Sequence, residues 1–207
     1  MPKISFVYFD VGGVAIQDFS DSPKWERMLD TMGLPPAMRP EFDEFYHTLD
    51  TKFCLGEHED EYLPQIAAKF NLVLPPDFSM RRYFIDHFDP NPGLWPIITK
   101  LKSVVKIGLL TDQYPGMLDQ IFAKNILPPV TWDAIVDSTK VGYRKPAPEI
   151  YALAEKKAGV AGSEILFIDN REKNLVPARA RGWQTFFYDS RDYAKANQDL
   201  AAFVGSL

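Results

Sequence analysis

Short apolar runs, each followed by a polar residue, recur near both ends of the chain. The first covers residues 4–9 and stops at Asp10, just before Gly12 and Gly13, which is typical of a buried strand leading into a tight loop. Similar runs cover residues 104–110, 134–136, 165–168 and 185–188. Helical patterns of about ten residues follow all but the last run. Alternating strands and helices predict an α/β fold with a Rossmann-like parallel sheet flanked by helices.

A different pattern occupies residues 17–90, where apolar residues recur at helical spacing and the strand pattern disappears. Helices are predicted there over residues 23–32, 41–53, 59–70 and 78–88. Ser22 and Pro23 suit the N-cap and the first position of the first helix. The chain is therefore predicted to form a Rossmann-like core from residues 1–16 and 91–207 and an inserted helical cap from residues 17–90. The cap should lie over the carboxyl ends of the strands, where ligands bind in open α/β sheets.

Polar residues stand where the predicted strands end. Asp10, Thr111 and Asp169 each end an apolar run, and Lys145 lies in a segment just before a proline-rich helix start. Because a parallel sheet brings the carboxyl ends of its strands to one edge, we expect these four side chains to converge. The pattern predicts a single site at that edge.

The residue types at this edge favour phosphoryl chemistry. A phosphate monoester repels anionic nucleophiles, so a carboxylate attacks phosphorus only where a metal and cations neutralise both groups. Asp10 is the candidate nucleophile and would form an aspartyl-phosphate. Mg²⁺ prefers oxygen ligands, which Asp10 and Asp169 would supply, and Lys145 would steady both Asp10 and the phosphoryl group. The expected phosphate contacts are Val11, Gly12, Thr111, Asp112 and Lys145.

The ordered set of segments resembles the motifs of the haloacid dehalogenase superfamily: an Asp-rich first loop, a Thr or Ser, a Lys and a terminal acidic loop. The helical insertion resembles that family's type 1 cap. Residues 142–151 and 167–182 are most similar to the subgroup containing sugar-phosphate phosphatases and the phosphatase domain of soluble epoxide hydrolases. The resemblance implies an Mg²⁺-dependent phosphatase acting on a small phosphorylated metabolite. It also implies metal contacts from Asp10, Gly12, Asp169 and Asn170.

Three residues depart from the family pattern. Gly12 stands where family phosphatases usually carry a second Asp that acts as general acid and base, a role worth about 10²- to 10⁴-fold in rate. Asn170 stands where a second acidic residue is often found, and Asp112 replaces a common Asn. Asp112 would either point away from the substrate or partly replace the missing acid and base. The sequence leaves both options open.

Two other functions remain open at this stage. A catalytically weak or silent protein that binds a phosphorylated ligand or a protein partner would explain Gly12, Asn170 and Asp112. A 2-haloacid dehalogenase would use the same nucleophile, but that chemistry needs no magnesium, so Asp169 argues against it. Arg144 is expected to be an exposed, solvated charge.

Charge and composition exclude other classes of partner. The chain has 23 Lys and Arg against 28 Asp and Glu, a formal net charge of −5, and no long basic cluster, so nucleic acid is not expected. Residues 4–16, the most apolar stretch, are too short to cross a membrane. A single cysteine, Cys54, and the lack of a secretory signal predict a cytoplasmic protein. The oligomeric state stays open.

Overall fold

The computed structural model describes residues 3–20 and 22–205. Its strands, in chain order, are β1 (Phe6–Phe9), β2 (Ile16–Gln17), β3 (Asp89–Pro90), β4 (Lys106–Thr111), β5 (Ala134–Asp137), β6 (Ile165–Asp169) and β7 (Gln184–Phe187). A parallel five-stranded sheet has the order β5-β4-β1-β6-β7, and β2 pairs with β3 in a separate antiparallel ribbon.

The helices complete the α/β architecture. In chain order they are α1 (Lys24–Thr31), α2 (Arg39–Phe53), α3 (Leu63–Phe70), α4 (Met80–Asp86), α5 (Trp95–Lys102), α6 (Met117–Ala123), α7 (Ser138–Val141), α8 (Pro148–Ala158), α9 (Glu172–Ala180) and α10 (Tyr193–Gly205). Short 3₁₀ helices cover Pro36–Met38, Glu59–Tyr62 and Gly162–Glu164. The predicted fold, a Rossmann-like parallel sheet flanked by helices, is confirmed.

The central strand β1 is buried on both faces. Phe6 and Tyr8 join one apolar cluster, while Val7 and Phe9 join the other, as the alternation of side chains along a strand requires. Burial on both sides explains why the sequence reads as a continuous apolar run rather than an alternating one. On the neighbouring strand, a Cβ on Gly108 would lie 2.7 Å from the Tyr8 ring, so glycine there makes room for the aromatic side chain.

Two predictions about element boundaries are wrong in the core. The run predicted to start at residue 104 becomes a strand only at Lys106, because the Val104 N–H donates to the Leu101 carbonyl and belongs to the turn that ends α5. The last apolar run was predicted to have no helix after it, yet α10 follows β7. Ala196 and Leu200 are buried one helical turn apart, which is the spacing that marks this helix.

The described residues between β2 and β3, 18–20 and 22–88, are mainly helical, but the predicted helix bounds need correction. Helix α2 begins at Arg39 rather than at residue 41, and α4 covers only Met80–Asp86 of the predicted 78–88. Helix α1 begins at Lys24, and its N-cap is Pro23 rather than Ser22. Residues 59–70, predicted as one helix, form a 3₁₀ turn over Glu59–Tyr62 followed by α3. Pro64 lies in the first turn of α3 and has no N–H to donate to the preceding turn, so the α-helix begins only there.

The ribbon of β2 and β3 brings together the two chain connections of this helical segment. Ile16 pairs with Pro90 and Gln17 with Asp89. Lys24 fastens the ribbon, because its Nζ lies 2.9 Å from the Gln17 carbonyl and 2.9 Å from Asp89 Oδ2. The division into a core of residues 1–16 and 91–207 and a cap of residues 17–90 stays a prediction, as does a cytoplasmic location. Within the described ranges, no helix is long and apolar enough to cross a bilayer.

Candidate active site

Three strand ends meet at the carboxyl edge of the sheet. Phe9 pairs with Leu109 on one side and with Ile168 on the other, so Asp10, Thr111 and Asp169 emerge side by side. The Asp10 N–H donates to the Ile168 carbonyl at 2.9 Å, which fixes the backbone where β1 turns into its loop. Strand order reverses at β1, and ligands bind at such points in open α/β sheets.

Lys145 lies between the two carboxylates. Its Nζ is 3.0 Å from Asp10 Oδ1 and 2.8 Å from Asp169 Oδ2, and its side chain is 1% exposed. Although burial alone would lower it, the two carboxylates raise the pKa of Lys145 above its ordinary value. Burial raises the pKa of Asp10, and Lys145 opposes that effect. When both acids are ionised, two carboxylates and one ammonium carry a net negative charge, which a further cation would offset.

Asp169 is held rigidly in this cluster. Its Oδ1 accepts the Arg171 N–H at 2.7 Å, and the Asn174 amide donates to both carboxylate oxygens at 3.1 and 3.0 Å. The Tyr151 hydroxyl in turn donates to the Asn174 carbonyl at 2.7 Å. The first turn of α9 and a residue of α8 therefore orient the acid.

Asp112 and Arg144 anchor the loop that carries Lys145. Asp112 Oδ1 accepts the Lys145 N–H at 2.9 Å, and its Oδ2 lies 3.9 Å from Arg144 Nε. Arg144 also lies 3.0 Å from Asp50 and donates to Thr51 Oγ1 at 3.1 Å, both on α2. The expectation that Arg144 is an exposed, solvated charge is therefore wrong. Its guanidinium joins the core to the helical segment.

The remaining predicted phosphate contacts are engaged within the chain. Thr111 Oγ1 is buried and accepts the Gln113 amide at 2.9 Å. The Val11 N–H donates to Asp10 Oδ1 at 2.7 Å, so it steadies the carboxylate itself. Gly12 forms a bridge with Ile16 and faces the cavity described below.

Asn170 presents an oxygen without a donor. Its amide nitrogen donates to Ser190 Oγ at 3.2 Å, whereas its Oδ1 is buried and has no hydrogen-bond partner among the described residues. Gly13 allows this packing, because it has a φ of +73° and a Cβ there would lie 2.0 Å from the Asn170 amide nitrogen. An unsatisfied buried oxygen next to Asp169 suits a hard cation.

A family model described as a haloacid dehalogenase-like hydrolase matches residues 8–182. The chain belongs to this hydrolase family. The matched range begins in β1 and ends just before β7, so it includes Asp10, Thr111, Lys145 and Asp169. The resemblance seen in the sequence is thereby confirmed at the level of the family.

One relative of the hydrolase chain is bifunctional epoxide hydrolase 2 of Rattus norvegicus. The two are 27% identical over 154 residues, which cover 71% of this chain and 27% of the rat protein. The chain thus spans only about a quarter of the length of that relative.

Solved structures of the family share the fold. HAD family enzyme BT-2542 from Bacteroides thetaiotaomicron has a TM-score of 0.71 at 19% identity, with 92% of this chain and 96% of that chain covered. That enzyme has also been crystallised with magnesium and inorganic phosphate. The L-2-haloacid dehalogenase PA0810 has a TM-score of 0.67 at 18% identity, with 97% and 99% covered. At these identities the likeness shows the fold alone.

A cavity of about 400 Å³ opens onto the acidic cluster of this family member. Its walls come from both the sheet edge and the helical segment, and they include Asp10, Gly12, Asp112, Lys145, Asp18, Trp25, Tyr46, His47, Asp50 and Phe84. The lining is mixed, with carboxylates and aromatic rings close together. A small polar molecule with an apolar portion fits such walls.

Sequence reasoning missed several cavity residues. Gln113 lies two positions after Thr111, and its place just after the strand end is a signal from which it could have been predicted. Tyr114 donates to Asp50 Oδ1 at 2.8 Å, and its hydroxyl lies 2.8 Å from that of Tyr46. Asp18 also lines the cavity, and burial raises the pKa of its carboxyl. Nothing in the local sequence around Asp18 marks it, because its position depends on how the chain turns back after β2.

Proposed function

We propose that the chain is an Mg²⁺-dependent phosphatase that hydrolyses a small phosphorylated metabolite through an aspartyl-phosphate on Asp10. One observation carries this proposal. Lys145 Nζ holds Asp10 Oδ1 at 3.0 Å and Asp169 Oδ2 at 2.8 Å in a buried cluster at the floor of a cavity. A nucleophilic carboxylate beside a buried cation is the arrangement that attack on a phosphate dianion requires.

The residues of this chain would divide the reaction among them. Asp10 attacks phosphorus, and Lys145 keeps its carboxylate aligned and balances charge on the phosphoryl oxygens. The Thr111 hydroxyl and the loop amides of Val11 and Gly12 would hold those oxygens once substrate displaces their present partners. The Val11 N–H would then exchange Asp10 Oδ1 for a phosphoryl oxygen. Water finally releases phosphate from Asp10.

The donor set fits magnesium in chemical type. Asp10, Asp169, the Gly12 carbonyl and the Asn170 amide oxygen would hold Mg²⁺, and all of them are hard oxygen ligands. Among the described residues there is no group of three or more His, Cys, Asp or Glu that could hold a metal, so neutral oxygens and water would complete the shell. When bound, Mg²⁺ supplies positive charge that neutralises the phosphoryl oxygens. The magnesium and phosphate bound by BT-2542 support the same assignment here.

Carbon-halogen cleavage is the second candidate, favoured by the dehalogenase PA0810 among the structural neighbours. Asp169 argues for the phosphatase. Its two oxygens are oriented by Asn174, Arg171 and Lys145, and with Asp10 it gives the cluster two carboxylates for the single ammonium of Lys145, which suits a further cation. The buried Asn170 Oδ1, which has no hydrogen-bond partner among the described residues, also favours the phosphatase.

Release of p-nitrophenol from p-nitrophenyl phosphate tests the proposal. We expect turnover with Mg²⁺, loss of turnover with EDTA and loss in Asp10→Asn, because the amide is not nucleophilic. Asp189→Asn, which alters an exposed acid paired with Arg191, is the matched control and should keep full activity. Turnover that survives in Asp10→Asn would contradict the mechanism. A folded protein inactive on a panel of phosphate esters would favour a silent binder, and metal-independent halide release from 2-haloacids would favour the dehalogenase.

A further inference from the structure

The first half of the proposed reaction needs a proton donor. When the bond from phosphorus to the ester oxygen breaks, an alkoxide leaves, and protonating it as it departs is worth about 10²- to 10⁴-fold in rate. The residue two places after Asp10 cannot provide this proton, since Gly12 has no side chain. A donor supplied by the chain would therefore come from elsewhere on the cavity wall.

Asp18 occupies the space next to Gly12. A Cβ built on Gly12 would lie 2.4 Å from Asp18 Oδ2 and 3.2 Å from Asp18 Cγ, so any larger residue at position 12 would collide with this carboxyl group. Asp18 reaches this place from the loop after β2, six residues further along the chain. The carboxylate thus faces the backbone of the loop that Asp10 begins, from a different point in the sequence.

Local contacts hold the carboxylate of Asp18 in this orientation. Its Oδ1 accepts the Ser20 N–H at 2.8 Å, while Oδ2 is the atom nearest to Gly12. The preceding residue is fixed as well, because Lys24 Nζ binds the Gln17 carbonyl at 2.9 Å. Asp10, Gly12 and Asp18 line the same cavity.

The other cavity acids are committed elsewhere. Asp112 Oδ1 accepts the Lys145 N–H, and Asp50 pairs with Arg144 and accepts the Tyr114 hydroxyl. Asp43 accepts the Trp25 indole N–H at 2.8 Å. Asp18 is the acid that combines a place beside the Asp10 loop with an oxygen directed at Gly12.

We propose that Asp18 is the general acid and base of the reaction, an assignment that rests on the phosphatase function proposed above. In the first step Asp10 Oδ forms a bond to phosphorus, the ester bond breaks, and the Asp18 carboxyl gives its proton to the leaving oxygen, releasing an alcohol. In the second step a water oxygen bonds to phosphorus, the bond from phosphorus to Asp10 breaks, and Asp18 takes the water proton. Phosphate leaves, and both acids return to their starting states.

The dependence on the leaving group tests this role in Asp18→Asn, which keeps the shape of the side chain. Benzyl phosphate releases a basic alkoxide, whereas p-nitrophenyl phosphate releases a stable phenolate that needs no proton. For benzyl phosphate we expect kcat/KM to fall about 10²-fold, and for p-nitrophenyl phosphate to change by less than about threefold. Asp18→Asn should also slow the attack of water on the aspartyl-phosphate, so that the second step limits turnover. Rapid mixing with p-nitrophenyl phosphate should therefore show a burst of one equivalent of nitrophenolate.

Asp89→Asn is the matched control, since Asp89 is an exposed acid on β3, opposite the residue that precedes Asp18, and pairs with Lys24. It should leave the ratio of the two kcat/KM values unchanged. If the wild type is active, two results for Asp18→Asn would overturn the role of Asp18 and leave the phosphatase proposal standing. One is an equal loss of kcat/KM on both substrates without a burst, and the other is no loss on either substrate. A wild type inactive on both substrates would overturn the phosphatase proposal and this role with it.

A variant with a carboxylate at residue 12 instead of residue 18 provides a second test. Gly12→Asp combined with Asp18→Ala removes the colliding carboxylate, and Asp18 Cβ already lies 3.8 Å from the new Cβ, an ordinary contact. We expect the double variant to recover benzyl phosphate hydrolysis relative to Asp18→Ala, and thermal melting checks that both fold. A folded double variant no more active than Asp18→Ala would contradict the proposed exchange of roles.

Discussion

Two neighbouring cations on one loop serve two different regions of the molecule. Lys145 points into the sheet edge, where its side chain is 1% exposed and its two partners, Asp10 and Asp169, are 10% and 0% exposed. Arg144 points toward α2, where it is 20% exposed and its partner Asp50 is 24% exposed. The buried cluster cannot be rearranged without exposing or unpairing a charge, whereas the partly exposed pair of Arg144 and Asp50 can exchange its contacts for water.

This difference separates two tasks in the proposed enzyme. The Lys145 cluster sets the geometry of the reacting carboxylate and must be the same for every substrate. The Arg144 pair joins the sheet edge to the helical segment that supplies much of the cavity wall, so it can adjust how that wall sits on the core. Asp112 connects the two, because it accepts the Lys145 N–H and faces Arg144.

The largest expected effect is on the buried side of this comparison. Lys145→Met removes the only basic side chain hydrogen-bonded to Asp10 or Asp169 within the described part of the chain and leaves two buried acids facing each other. We expect the free energy of unfolding to fall by about 3–5 kcal/mol, measured by urea denaturation. Lys140→Met is the control: Lys140 is 58% exposed, so its loss should cost less than about 0.5 kcal/mol. Equal stability of the two variants would break the distinction between buried and exposed cations.

A smaller effect is expected for the pair that joins the core to the helical segment. A double-mutant cycle of Asp50→Asn and Arg144→Gln should give a coupling energy of about 0.5–1 kcal/mol, because solvent reaches and screens these partly exposed charges. That coupling should shrink further in high salt. In the Asp50→Asn and Arg144→Gln variants, the change in KM should exceed the change in kcat. A coupling of several kcal/mol that salt does not alter would mean that this pair behaves like the buried one.

The sequence predicted the strand-end residues because their positions follow from a local rule. Asp10, Thr111 and Asp169 each end an apolar run, and a parallel sheet must bring such ends together. Lys145 was found through its motif, and its Nζ lies between Asp10 and Asp169, where those strand ends meet.

What sequence reasoning missed depends on contacts between distant segments. Arg144 was expected to be solvated, since nothing near it in sequence indicates that α2 brings Asp50 within 3.0 Å. Asp18 was overlooked for the same reason, because its position beside Gly12 follows from the turn after β2. Periodicity reports which face of an element is buried, but it does not report which loop residue will reach the site.

The central claim is that Asp10 carries the phosphoryl group during the reaction. Mass spectrometry of the peptide containing Asp10, after rapid acid quenching of the Mg²⁺-loaded protein with p-nitrophenyl phosphate, tests it most directly. The account predicts the added mass of one phosphoryl group on Asp10 in the wild type and none in Asp10→Asn. Turnover without any phosphoryl group on Asp10, or a phosphoryl group on another residue, would contradict it.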